Sequence, residues 1–136
     1  MPDYQEIYLR NSYEVELSVD STFTFSLIDF QDNIFYDRPF AIITAFNPQN
    51  KALPYQENRL RNQILYSELN SRYELITAKG CLNGHCEEGY LVFDISLPDA
   101  TAIGSKYEQF ALFFNSSERL SYIRCEDKKI IVTKER

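Results

Sequence analysis

The sequence predicts an α+β protein: a single mixed, mainly antiparallel sheet of about five to seven strands, opened by an N-terminal hairpin and packed with two or three helices. Three observations carry this. Two alternating apolar and polar runs follow each other near the start, two later runs are apolar on both faces, and two segments at helical spacing separate the strands.

Residues 3 to 11 read as a short first helix. Tyr13, Val15, Leu17 and Val19 then alternate with Glu14, Glu16 and Ser18, and Phe23, Phe25 and Leu27 alternate with Thr22, Thr24 and Ser26. Period-two alternation describes a half-exposed strand, and two such runs in close succession describe a hairpin. Apolar residues on one face require partner numbers with an even sum. Val19 opposite Phe23, Leu17 opposite Phe25 and Val15 opposite Leu27 meets that condition, with Asp20-Ser21-Thr22 as a three-residue connection.

Phe40-Ala41-Ile42-Ile43-Thr44-Ala45-Phe46 and Phe110-Ala111-Leu112-Phe113-Phe114 are apolar on both faces, as central strands covered on both sides must be. Further strands are expected at 89 to 95, 119 to 125 and 129 to 133, with Asn115-Ser116-Ser117-Glu118 as a turn. A helix from Pro54 to about Tyr73 has good formers and no internal Gly or Pro. Ser96-Leu97-Pro98-Asp99 resembles a capping signal, and Ala100, Ile103 and Tyr107 follow at helical spacing.

The 136 residues are 44% hydrophobic and 25% charged, the profile of one globular domain over 1–136. No apolar run nears the roughly 20 residues of a membrane-spanning helix, and the start lacks a signal peptide's basic end and apolar stretch, so a cytoplasmic protein is expected. Cys81, Cys86 and Cys125 cannot all pair within one chain, which suggests free thiols in a reducing compartment. A net charge of -6 with scattered Lys and Arg argues against nucleic acid as a partner.

Gly80, Gly84 and Gly89 fall between Ala78 and Gly89 together with Cys81, Cys86 and the only histidine, His85; the stretch reads as a loop connecting strands. Cys81, His85, Cys86 and Cys125 lack the spacing of a closed zinc site, so no metal is expected. Neither His85 with Cys81 nor His85 with Cys86 has a diagnostic nucleophile spacing. Phosphate-loop, dinucleotide and paired-histidine motifs do not occur, so no cofactor is expected.

The long helix carries more detail. At about 100° per residue, Asn58, Leu65 and Leu69 share one stripe, so Asn58 points inward; Asn62 lies on the same side and Arg61 flanks it. An inward amide either ties down the preceding loop or contacts a ligand.

The order of motifs resembles the bacterial family called domain of unknown function 3293. The blocks are Phe40 to Pro48, Glu57-Asn58, Gly84 to Val92 and Tyr107-Glu108-Gln109-Phe110-Ala111, with Tyr13-Glu14-Val15 resembling the family's start; together they span about residues 8 to 124. His85 stands where the pattern has a tryptophan ahead of its acid, which falls on Glu87 or, one residue on, Glu88. The resemblance implies a fold and a candidate surface but no reaction; with the helix reading, the candidate binding residues are Asn47, Asn58, Arg61, His85 and Gln109.

Two functions compete. One is a non-catalytic module that binds a small molecule or a protein. The other is a small hydrolase or transferase in which Glu87 or Glu88 is the general base and Asn47, Asn58 and Gln109 orient the substrate. Amide-rich sites suit recognition, which favours binding. The same reading expects Asn47, Asn58, Glu87 and Gln109, all at element boundaries, to surround one concavity at an end of the sheet.

Overall fold

The computed structural model describes residues 3–136. Its elements are helix α1 (Tyr4–Arg10), strands β1 (Ser12–Ser18), β2 (Ser21–Ser26) and β3 (Phe40–Ile43), helix α2 (Tyr55–Asn70), strands β4 (Leu75–Leu82) and β5 (His85–Phe93), helix α3 (Leu97–Lys106), and strands β6 (Ala111–Asn115), β7 (Arg119–Arg124) and β8 (Ile130–Glu135). The eight strands form one sheet in the order β2-β1-β4-β5-β3-β6-β7-β8, and every neighbouring pair is antiparallel. The expected class holds, as one curled sheet with more strands than expected and no parallel neighbours. None of the helices described is long and apolar enough to cross a membrane.

The doubly apolar runs are central: β3 lies between β5 and β6. Alternation along β3 sends Ala41 and Ile43 into one core with Leu65 and Leu69 of α2 and Ile103 of α3. Phe40 and Ile42 enter a second core on the opposite face, with Tyr13, Phe25, Leu91, Phe113 and Tyr122. Helices α2 and α3 cover the first face because each sits in a crossover, β3-α2-β4 and β5-α3-β6, whose two strands flank a third. A 3-10 turn at Ile34–Asp37, bearing the fully buried Tyr36, and α1 pack on the second.

Helix starts follow local chemistry. The Asp3 carboxylate accepts from Glu6 N–H at 3.2 Å and the Ser96 hydroxyl from Asp99 N–H at 3.2 Å, each satisfying a free first-turn donor.

Three expectations need correction. The first hairpin pairs Val15 with Phe23 and Tyr13 with Phe25, four residues away from the expected register in partner sum. Its connection is Val19-Asp20 between Ser18 and Ser21, with a bulge between Glu16 and Ser18, in place of the three-residue loop. Alternation fixes partner parity only. Beyond Val15, β4 no longer accompanies β1, so nothing covers Leu17 and Val19, which are 45% and 102% exposed.

The segment from Ala78 to Gly89 is a hairpin, not a loop: β4 and β5 pair continuously from Leu75 with Val92 to Leu82 with His85. Asn83 and Gly84 both have positive φ, 52° and 82°, as a two-residue turn matched to strand twist requires. Cys81 and Cys86 stand directly opposite each other and form a disulfide, so the expectation of free thiols fails for these two. Cys125 remains free and buried.

Candidate functional site

Strand β3 stops at Ile43 because side chains take over its backbone bonds. Ala45 N–H donates to Asn62 Oδ1 at 2.8 Å, while Asn62 Nδ2 and Thr44 Oγ1 both donate to the Glu88 carbonyl, at 2.7 and 2.6 Å. Arg61 Nε donates to the Ala45 carbonyl at 2.7 Å and its Nη2 to the Tyr107 carbonyl at 2.7 Å. Gly89 is required here: a Cβ would lie 2.6 Å from the Ile43 carbonyl oxygen and 3.0 Å from Thr44 Cβ.

The chain then turns through Asn47, Gln49 and Asn50, with φ of 49°, 54° and 60°. Left-handed backbone costs least at Gly and Asn, and side-chain bonds must hold it elsewhere. Asn47 N–H donates to Asn58 Oδ1 at 2.8 Å, and Asn58 Nδ2 donates to Asn47 Oδ1 at 2.7 Å and to the Leu53 carbonyl at 3.3 Å. Leu53 N–H also donates to Asn47 Oδ1, at 3.0 Å. Gln109 Nε2 donates to the carbonyls of Phe46 and Tyr107 at 2.9 and 3.2 Å. Asn47 Nδ2 is left to donate to Glu87 Oε1, at 2.9 Å.

This turn forms one wall of a cleft of about 630 Å³, within the range of small-ligand sites. The sheet face beneath the cleft is lined by small residues, Ala78 and Gly80 of β4, Gly89 of β5 and Ala111 of β6, with the Tyr13 ring packed over Gly80 and the Ile43 carbonyl over Gly89. The same face elsewhere carries Phe40, Leu91 and Phe113. Helix α1 closes the far side through stacked rings, Tyr4 on Phe110 at 4.7 Å between centroids and Tyr8 on Tyr122 at 4.5 Å. Tyr122 Oη accepts from Asn11 Nδ2 at 3.2 Å.

Glu87 is the one acid among the described lining residues. Burial raises its carboxyl above the ordinary glutamate value, and the Asn47 amide only partly offsets this. Burial likewise pushes up the hydroxyls of Tyr8, Tyr13 and Tyr122, so all three remain protonated donors at neutral pH.

Asn47, Glu87, Gln109 and His85 line the cleft. Asn58, 4% exposed, stands behind Asn47 as its support, and Arg61 is spent on two backbone carbonyls. Glu88 points to the opposite sheet face, where its carboxylate holds the Tyr55 hydroxyl above its ordinary value. Sequence reasoning missed Thr44 and the tyrosines Tyr8, Tyr13 and Tyr122. For Tyr13 and Tyr122 the one available signal was a tyrosine at an inward strand position, whose hydroxyl needs a partner.

Fold and cleft together define an α+β protein with a partly enclosed, tyrosine-lined cavity over the bare patch of a curled sheet. Residues 43–112, half of the chain, match the family described as "Protein of unknown function (DUF3293)", and the chain belongs to that family. The matched span contains Thr44, Asn47, Asn58, Glu87 and Gln109, whereas α1, Tyr13 and Tyr122 lie outside it. No curated protein and no solved structure matches the chain.

Proposed function

We propose that the protein is a non-catalytic small-molecule binding module whose ligand occupies the cleft between α1 and the sheet. The carrying observation is the cavity itself. A patch of Ala and Gly on an otherwise aromatic sheet face leaves about 630 Å³ beside a fixed polar wall of Asn47, Glu87 and Gln109. Interiors are packed to crystal density, so space of this size beside convergent polar groups fits recognition better than packing. A cytoplasmic site of action belongs to the proposal; there the Cys81–Cys86 pair is expected to be reduced, leaving the Asn83-Gly84 turn to hold the hairpin tip.

One observation favours a second reading. A desolvated carboxyl with a raised pKa is what a general base requires, and Glu87 has both features, as in a small hydrolase or transferase. Glu87 is preferred over Glu88 in that role because Glu88 faces the other side of the sheet and does not line the cleft.

A thermal-shift screen of a metabolite library against the wild type and Ala111→Leu tests the binding reading. The added side chain fills the cleft floor from β6. Hits that raise Tm by several degrees at about 100 times Kd, and are lost in the variant, support binding. Hits that persist in a folded variant refute it, and turnover of a hit would replace it with the enzyme reading.

A further inference from the structure

We infer that the ligand of this cleft is an organic cation, an amine whose charged end pairs with Glu87 and whose body lies against the tyrosine wall. This rests on the reading of the cleft as a small-molecule site and names the chemistry it selects. Among the described residues no lysine or arginine lines the cleft and His85 is its one basic side chain, so a phosphate or carboxylate would meet Glu87 with no permanent cation to offset it. A protein of net charge -6 adds repulsion at longer range.

Glu87 itself is underserved. Its Oε1 accepts from the neutral Asn47 amide, while no hydrogen bond to Oε2 and no ion pair reaches it among the described residues. Glu68, another half-buried acid, has a cation beside it, Lys106. A carboxylate partly withdrawn from water without a positive partner is penalised, and a cation entering the cleft offsets that penalty. Tyr4, Tyr8, Tyr13 and Phe110 supply the aromatic surface on which the body of an ammonium ligand gains both dispersion and quadrupole attraction.

Three probes of one shape and different charge decide the matter by calorimetry at neutral pH: 2-phenylethylamine, 2-phenylethanol and 3-phenylpropanoate. The amine is expected to bind at least about tenfold tighter than the alcohol, with the carboxylate weakest. In Glu87→Gln, checked for its fold by near-ultraviolet circular dichroism, the ratio of amine to alcohol affinity should fall towards one. The inference is overturned if the alcohol or the carboxylate binds as tightly as the amine, if the preference survives in a folded Glu87→Gln, or if none of the three binds. The wild-type ranking decides even where the variant does not fold. Failure here leaves the cleft reading to its own screen against Ala111→Leu, so the two can fail separately.

Discussion

Gln109 and Asn58 grip opposite ends of one peptide unit: Gln109 Nε2 donates to the Phe46 carbonyl at 2.9 Å, and Asn58 Oδ1 accepts from Asn47 N–H at 2.8 Å. The bonded atoms are therefore separated by no more than about 8 Å across a trans peptide. The left-handed turn that follows β3 is thus clamped from α2 on one side and from the residues just before β6 on the other. The clamp sets the direction of the Asn47 side chain, which in turn meets Glu87.

Asn58→Ala should cost about 2–3 kcal/mol in urea unfolding, because it orphans the Asn47 N–H and an Asn47 Oδ1 contact in a buried setting. Gln109→Ala, at a half-buried position open to the cleft, should cost about 1 kcal/mol. Equal losses at the two positions would contradict the assignment of Asn58 as the support and Gln109 as part of the wall.

Gly89→Ala forces a Cβ to within 2.6 Å of the Ile43 carbonyl, a backbone atom that cannot swing away. A loss of about 1–3 kcal/mol is expected. Gly84→Asn, at a turn position with φ of 82° and nothing within 4 Å, should stay within about 0.5 kcal/mol of wild type. Chemical denaturation of both variants checks the contrast.

The charge of Glu87 should register in the pH dependence of stability. Its folded pKa is raised, so the folded state holds the proton more tightly than the unfolded chain does. This contribution is present in full below the ordinary glutamate value and is lost as pH rises through the folded value. Glu87→Gln keeps an acceptor for Asn47 and removes the charge, so it should be at least as stable as wild type at neutral pH. Its advantage should shrink as pH falls towards the ordinary glutamate range. A variant less stable at neutral pH than in acid, relative to wild type, would reverse the sign.

Cross-linking Cys81 to Cys86 closes a loop of only six residues, for which chain entropy gives about 2 kcal/mol. The double variant Cys81→Ser/Cys86→Ser should be less stable than wild type by about that much under oxidising conditions and no less stable than wild type in reductant. Alkylation of the folded, oxidised protein should label no cysteine before reduction and two after it, with Cys125 reacting only on unfolding, since burial pushes its thiol up to about 12.

Much of the sheet was legible because its signals are local. Alternation located β1 and β2, the doubly apolar runs located β3 and β6, and helical spacing placed Asn58 inward. The hairpin β4–β5 was missed because its outer half has few apolar residues to alternate and three glycines that mimic a loop; Asn83-Gly84 was its one clear turn signal. The first hairpin kept the right parity and the wrong register, since sequence alone does not say where a neighbouring strand ends. At the site, the boundary residues Asn47, Glu87 and Gln109 were readable, but the cavity was not. It arises from the side-by-side placement of Ala78, Gly80, Gly89 and Ala111, from three strands, which becomes visible only once the register is known.

The central claim is that the cleft holds a small molecule, and native mass spectrometry of protein purified gently from its own host tests it most directly. The account predicts a single non-covalent small-molecule adduct on the wild type that is missing from Ala111→Leu prepared in the same way. A wild-type spectrum showing only the bare chain, or an adduct carried equally by the folded variant, would contradict it.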